Sequence, residues 1–432
     1  MCKKTFRIGY HLNIRIYLSA LNFILNTSIS FKLYIYKERR YIMIGDKMFY
    51  KTLFKNLFAD TFELKLWDGS SEIYGEGEPK FKIIFNEPIP KADIIKDPSI
   101  AFGEGYMTKK LDIEGNIQYV IESLYNSKES FLGNDKYANI IKMVKNNIKT
   151  SKKNIEFHYD VGNDFYKLWL DDTMTYSCGY FKSQNDSLTD AQKNKVDHIL
   201  KKLNLKEGET LLDIGCGWGE LIITAAKKYK VKAMGVTLST QQFEKVKKRI
   251  ESEGLNELVE VQLTDYREIK NRKFDRVVSV GMLEHVGKDN LPEYFSAVSE
   301  LLNKKGVSLL HCITNTSDSG TNSWINKYIF PGGYVPSIQE LVNYMSEKNF
   351  NIIDVENLRL HYGKTLECWA ANFENAMPEI EKMKDATFIR MWRMYLNACA
   401  ASFNCGNINL HQFLFTKGVN NDLPWTREYM YK

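Results

Sequence analysis

Leu211-Leu212-Asp213-Ile214-Gly215-Cys216-Gly217-Trp218-Gly219 is the stretch whose reading decides the fold. An apolar run ends in an acid, enters a Gly-x-Gly-x-Gly turn and gives way to the helical pattern of Leu221–Lys228. Glycines at these positions let the backbone turn sharply and approach a ligand at the carboxyl end of a strand. The spacing differs from the G-x-G-x-x-G of dinucleotide folds. Working outward, Thr210–Ile214, Ala233–Val236, Val259–Leu263, Arg276–Val280 and Val307–Cys312 are apolar runs separated by helical segments. Such runs read as buried parallel strands, and the β-α-β-α order as a doubly wound α/β domain.

The chain has 432 residues, with 44% hydrophobic and 26% charged, enough for two domains with a sizeable core. Aromatics reach 13%, suited to core packing and to enclosing an apolar or cationic ligand. The net charge of +6 is unevenly placed: residues 1–47 hold nine Lys/Arg against two Asp/Glu, and the remainder holds 50 against 51. A basic nucleic-acid-binding body is therefore not indicated. Seven scattered cysteines without a CxxC pair read as reduced thiols, with neither a disulfide framework nor a metal site. No stretch of 18 uncharged apolar residues predicts a membrane span.

Leu12–Leu25 is apolar after a basic start, but it is too short and polar to span a bilayer and lacks a convincing cleavage site. It reads as an extension, with translation expected to start at Met43 or Met48; an amphipathic anchor is the competing reading. From Met48 a small domain is expected to run to about 135. Phe49, Leu53, Phe54, Leu57 and Phe58 share a helical face, and Phe62, Leu64 and Leu66 alternate like a strand. Lys80–Phe85 reads as a second strand, Asp93–Lys96 as a short helix and Asp112–Gly115 as a turn. Residues 136–155 contain no acid and carry Lys142, Lys145 and Lys149 opposite Ile140, Ile141, Val144 and Ile148. They read as a linker helix or as a basic surface for anionic lipid headgroups. The expected organisation is an extension (1–47), an accessory lipid-binding domain (48–135), a basic linker (136–155) and a catalytic domain (156–432).

The acid followed by Gly-x-Gly-x-Gly resembles the first motif of class I S-adenosylmethionine-dependent methyltransferases. Asp213, Gly215, Gly217 and Gly219 are then cofactor-binding candidates. Most such enzymes have an acid where Thr237 stands, so Thr237 and Gln242 are the groups left for the ribose. Asp265 follows the third strand and would accept from the adenine amino group, with Tyr266 covering the ring.

Further motifs narrow the resemblance. His158-Tyr159-Asp160-Val161-Gly162-Asn163-Asp164-Phe165-Tyr166 and Tyr176-Ser177-Cys178-Gly179-Tyr180-Phe181 are similar to the opening segment of cyclopropane-fatty-acyl-phospholipid synthases. Met282-Leu283-Glu284-His285-Val286-Gly287, Leu310-His311-Cys312-Ile313, Trp324 to Gly333 and His361 to Leu366 match the same family in the same order. The resemblance covers about 155–432, and residues 48–135 resemble the family's amino-terminal domain. Its presence favours the phospholipid-acting branch over the mycolic acid branch.

The resemblance implies a doubly wound class I methyltransferase (Rossmann-like) domain with a smaller amino-terminal α+β domain. It implies transfer of a methylene carbon from S-adenosylmethionine to a cis double bond, through a carbocation deprotonated by bound bicarbonate. By resemblance the bicarbonate pocket falls on Cys178, Glu284, His311, the Ile313 backbone and Tyr362, and Tyr176 and Ser177 join the cofactor site. Cys399 matches a cysteine sometimes assigned as nucleophile. Its apolar helix is that of a buried inert thiol, and alkene methylation needs no covalent enzyme intermediate. The expected partners are a membrane phospholipid as substrate and a peripheral contact with the bilayer, no nucleic acid, with a homodimer left open. The expected location is cytoplasmic, at the inner face of the membrane. Two other readings stay open: methylation or methylenation of another lipid, and non-catalytic lipid binding.

Overall fold

A computed structural model describes residues 45–127, 161–316 and 321–432. The run Leu12–Leu25, the Lys-rich segment 136–155 and His158, Tyr159 and Asp160 lie outside the described residues. The described residues fall into two units divided between Asn56 and Leu57. In the first, helix α1 (45–54) carries Phe49, Tyr50 and Phe54. The helix ends before Leu57 and Phe58, which the apolar spacing had assigned to it. Phe58 instead packs on Phe62 and Phe81, at ring distances of 4.8 and 5.1 Å, and that contact draws it into the second unit.

The second unit begins with a four-stranded sheet of order β2-β1-β3-β4: β1 (Phe62–Lys65), β2 (Ser71–Tyr74), β3 (Phe81–Phe85) and β4 (Leu111–Glu114). β1 and β3 are parallel, and Phe62 stacks on its register partner Phe81. Asp112–Gly115, expected as a turn, is mostly strand β4. Leu111 is buried and Ile113 pairs across to Ile83, so apolar residues flanking Asp112 outweigh its turn preference. Only Gly115, at φ 121°, makes the bend. Helices α2 (Lys91–Lys96), α3 (Pro98–Met107) and α4 (Ile117–Asn126) complete this region. Asp97 and Asn116 cap α3 and α4 by accepting from the Ile100 and Tyr119 amides.

A seven-stranded sheet follows, of order β10-β11-β9-β8-β5-β6-β7. β5 (Thr210–Ile214), β6 (Lys232–Thr237), β7 (Val259–Leu263), β8 (Phe274–Val280) and β9 (Leu302–Asn315) are the five parallel strands read from the sequence. β10 (Phe350–Asn357) and β11 (Ile408–Lys417) were not read; β11 runs antiparallel to both its neighbours and lies between β9 and β10. The helices of this part are α5 (Asn163–Tyr166), α6 (Leu188–Lys202), α7 (Glu220–Tyr229), α8 (Thr240–Ser252), α9 (Leu291–Leu301), α10 (Ser323–Tyr328), α11 (Ile338–Glu347), α12 (Arg359–Asn375), α13 (Met377–Met383), α14 (Ala386–Asn404) and α15 (Glu428–Tyr431).

Within this unit the small sheet region is seated on α10 and α14. The buried Arg390 guanidinium of α14 lies 3.8 Å over the Tyr106 ring. It donates to the Tyr106 carbonyl, to the Leu111 carbonyl at 3.1 Å and to Asp112 at 3.1 Å. Gly103 on α3 admits the Trp324 indole: a Cβ there would sit 2.3 Å from its ring. Glu104 accepts from Lys327 and from the Tyr328 hydroxyl.

Arg390 therefore fastens α14 to the small region. Arg390→Met keeps most of the buried stem, strands the Leu111 carbonyl without a donor and leaves that of Tyr106 only its Lys109 amide. It is expected to cost about 3 kcal/mol of stability, read as a lower urea midpoint.

Candidate functional site

The glycine turn after β5 shapes one cleft. Gly215, Gly217 and Gly219 have φ of 85°, 54° and 85°, the left-handed region that glycine adopts without strain. The Gly215 and Cys216 amides both donate to the Val236 carbonyl at 3.0 Å, fixing the turn on β6. A Cβ on Gly215 would meet Met282 at 2.8 Å, and one on Gly219 would meet Val246 at 2.9 Å. A Cβ on Gly217 would meet nothing within 4 Å, so this glycine faces open space. Of the ten cofactor residues expected from the sequence, nine line the cleft, whose volume is about 1180 Å³ with its mouth. Gly219 does not; it caps α7 and lets that helix approach α8.

Asp213 Oδ1 is buried with no hydrogen-bond partner among the described residues, and burial pushes the carboxyl up to about 7. Across the cleft wall Lys195 donates to Ser177 Oγ at 3.0 Å. Burial pushes its ammonium down to about 8, against the pull of Asp171, Cys178, Asp213 and Glu220. The Thr237 hydroxyl donates to Gln242 Oε1 at 2.7 Å, so these two residues act as one unit and the Gln242 amide NH2 is the group left for a ribose. Asp265 is clamped by Arg267, which reaches Oδ1 and Oδ2 at 2.8 Å each. Its carboxylate keeps only its remaining lone pairs for an adenine. Tyr266 lines the cleft from the core side, edge-on to Tyr294.

Lys195 and Arg267 were missed in the sequence. Lys195 had a signal: it occupies the apolar face of α6 with Ala191, Ile199 and Lys202, all buried. A lysine at such a position is desolvated, and that is unusual enough to mark it.

A second cluster lies beyond β8. Glu284 sits in the turn Leu283–His285, held by the Tyr334 amide on its carbonyl at 2.9 Å. Its Oε1 accepts from the Ile313 amide of β9 at 2.7 Å; its Oε2 is buried and has no partner among the described residues. Burial pushes this carboxyl up to about 7. The Ile313 amide was expected to face an anion. It is taken by Glu284 instead, because the turn brings the carboxyl onto the strand edge.

His311, fully buried on β9, receives a hydrogen bond on Nδ1 from Gln412 Nε2 at 3.1 Å, while its Nε2 has no partner among the described residues. Burial holds its ring well below the usual histidine range. Residues 311 and 313 leave the same face of the strand. Burial pushes the Tyr362 phenol well up, helped by its neighbours Tyr395, Cys178, Glu284 and Cys399. The Cys178 thiol donates to the Gly179 carbonyl at 3.2 Å and is pushed up by burial. Cys399 on α14 is pushed up to about 12 for the same reason, so both cysteines are thiols and poor nucleophiles. His285 lines the cleft, its ring 5.5 Å from Phe330 and held down at about 4 by burial.

An aromatic cluster joins the two places. Tyr176 lines the cleft, and its ring lies 5.2 Å from Trp369, 5.4 Å from Trp169 and 5.5 Å from Tyr166. Its hydroxyl lies 2.7 Å from that of Tyr395, the neighbour of Tyr362. The Trp169 and Trp369 rings are fully buried. Such faces stabilise a nearby cation without bonding to it.

Residues 146–413 match the family profile described as mycolic acid cyclopropane synthetase, and residues 49–136 match a domain of unknown function, DUF7884. The chain is 39% identical over 379 residues to a probable fatty acid methyltransferase of Pseudomonas putida, covering 85% of this chain and 96% of that one. It is 44% identical over 271 residues to the cyclopropane-fatty-acyl-phospholipid synthase of Escherichia coli K12, covering 62% of this chain and 69% of that one. Among solved structures, the mycolic acid cyclopropane synthase CmaA1 complexed with SAH and CTAB aligns with a TM-score of 0.59 at 35% identity. That alignment covers 62% of this chain and 98% of that one.

Gly217→Val places a branched side chain in the open cleft and meets no protein atom at Cβ. It is expected to lower S-adenosylmethionine affinity at least tenfold by calorimetry. The left-handed φ adds a stability loss of about 1–2 kcal/mol. Glu284 gives a pH signature. Its carboxyl titrates at an ordinary value when unfolded and near 7 when folded. Below the unfolded value both states are protonated and the shift costs nothing. As pH rises through this window the unfolded state ionises first, so the wild type loses stability, fully so above about 7. Glu284→Gln, which lacks this titration, should gain stability relative to wild type between about pH 4.5 and 7, by up to about 3 kcal/mol, measured as urea midpoints across pH.

Proposed function

We propose that this chain, which belongs to the mycolic acid cyclopropane synthetase family and is an S-adenosylmethionine-dependent methyltransferase, forms cyclopropane rings on the cis double bonds of phospholipid acyl chains. The observation that carries the reading is the position of Tyr176. It is at once a wall of the cleft and a member of the aromatic cluster that reaches Tyr395 and, through it, the Glu284 neighbourhood. A methyl carbon presented at that wall meets an apolar, cation-tolerant surface with a proton-accepting cluster behind it.

The residues fit both groups the reaction needs. S-adenosylmethionine supplies an electrophilic methyl carbon carried by a sulfonium, with an ammonium and a carboxylate at its amino-acid end. The orphaned Asp213 Oδ1 suits the ammonium, and the space before Gly217 admits the body of the cofactor. Bicarbonate supplies a base that also carries a hydroxyl donor. Glu284 Oε2 is buried without a partner among the described residues, and so is His311 Nε2, a donor in the tautomer whose Nδ1 accepts from Gln412. Orphans of opposite sense are costly unless one small group satisfies both.

The chain's own residues then divide the work. Asp213, Lys195 and Ser177 orient the amino-acid end, and Gln242 the ribose. Trp169, Tyr176 and Trp369 shield the cation that methyl transfer leaves on the acyl chain. Glu284 and His311 would hold the bicarbonate, which would supply the base for the proton that the new methyl must lose as the ring closes. Tyr362, a buried phenol kept neutral, donates to the same anion. Cys178 and Cys399, both thiols, serve as walls.

An acyl substrate lies in a bilayer, so the chain works at a membrane surface, on the cytoplasmic side where S-adenosylmethionine is made available. No helix among the described residues is long and apolar enough to cross a membrane. The accessory region 48–135 and the basic segment 136–155 are the parts proposed to hold it there.

The test is fatty-acid analysis of a host expressing the full chain. The expected product gains one CH2 and loses its double bond. Glu284→Gln should abolish the product while leaving S-adenosylmethionine affinity within about threefold, and rigorous carbonate removal should slow the wild type until bicarbonate is restored. A branched methyl or methylene product would establish the other lipid reaction, and full-rate turnover without carbonate would remove the bicarbonate role.

A further inference from the structure

Strand register lines up a polar row across one face of the large sheet. Glu356 on β10 stands opposite Gln412 on β11, Gln412 opposite His311 on β9, and His311 opposite Val280 on β8. Side chains directly opposite in paired strands leave the same face and touch. Gln412 and His311 are both fully buried. A buried amide between aliphatic positions such as Leu410 and Leu414 is costly to keep, and a leucine would pack there without it.

Among the described residues the Gln412 amide has one partner, on Nε2, and its Oε1 is buried with none. Glu356, its other neighbour in the row, is already held by His198 Nε2 at 2.7 Å and Lys202 Nζ at 2.6 Å. With its Nε2 3.1 Å from His311 Nδ1, the Gln412 amide donates to the ring when Nδ1 is the unprotonated nitrogen of a neutral imidazole. The ring proton is then on Nε2, the nitrogen without a partner.

We infer that Gln412 is a positioning residue that fixes the tautomer and rotation of His311, so that the ring presents an N–H donor to the anion beside Glu284. The inference rests on the bicarbonate reading and deepens it. Without Gln412 the ring is free to rotate and to exchange its proton to Nδ1. Its Nε2 would then offer a lone pair to an anion and repel it.

The test uses the full chain, with bicarbonate as the probe in carbonate-depleted buffer. Gln412→Met removes the amide at nearly constant volume. It is expected to raise the bicarbonate concentration for half-maximal rate about tenfold and to leave the KM for S-adenosylmethionine within twofold, a split that general loosening of the fold does not produce. In parallel, 15N spectra of histidine-labelled wild type should show His311 as the Nε2–H tautomer. A wild type carrying the proton on Nδ1 overturns the inference even where Gln412→Met fails to fold. Unchanged bicarbonate dependence in a folded Gln412→Met overturns it too and leaves the proposed reaction standing. Absence of bicarbonate dependence in the wild type instead removes the reading beneath it, and with it this role for Gln412.

Discussion

The hydrogen bond from the Ile313 amide to Glu284 Oε1 is the constraint on which the site depends. It ties the turn after β8 to the body of β9 and engages one of the two carboxyl oxygens. The other oxygen is thereby aimed, buried and unsatisfied. Backbone bonds fix both sides of the contact: the Gly281 amide donates to the His311 carbonyl, and the Tyr334 amide to that of Glu284. A carboxyl with a single amide donor in a dry setting is reluctant to ionise, and this one is poised near neutrality. Two further donors on it would have pulled it into the ordinary acid range and ended its capacity to share a proton.

The same logic recurs at Asp213 and His311, each buried with one atom unmet. Every such atom costs about 1–3 kcal/mol relative to a satisfied one. The fold tolerates several because its binding surfaces are bordered by large apolar clusters and because Arg390 satisfies three acceptors at once where the smaller region docks. The unmet atoms of Asp213, Glu284 and His311 border the cleft and the cluster beyond β8, while others, such as Tyr74 Oη and Trp324 Nε1, lie away from both.

The five parallel strands were legible because each is a short apolar run beside a turn signal, and the glycine turn fixed which came first. β10 and β11 were not, since Asp354, Glu356, His411 and Gln412 interrupt their apolar pattern; all four are satisfied or useful only in the folded sheet. Motifs placed Glu284, His311, Cys178 and Tyr362 in neighbouring positions without revealing who bonds to whom. That Ile313 serves Glu284, that Thr237 and Gln242 form a pair, and that Arg267 occupies Asp265 are facts of tertiary distance. Lys195 was hidden for another reason. Its helix is rich in lysine, so one buried ammonium among solvated ones stands out only by its phase on the helix.

The place of β11 between β9 and β10 bears on how the molecule comes into being. β10 precedes β11 along the chain, yet it has no edge to pair with until β11 has been laid against β9. During synthesis the parallel half of the sheet is able to form early, leaving the His311 edge bare and the emerging β10 without a template. Gln412 and the strand that carries it arrive as a late wedge, closing the sheet and bringing the amide against His311 in the same event. A nascent chain that has already built its glycine turn still lacks the strand between β9 and β10, and the seven-stranded sheet is whole only once that wedge is in place.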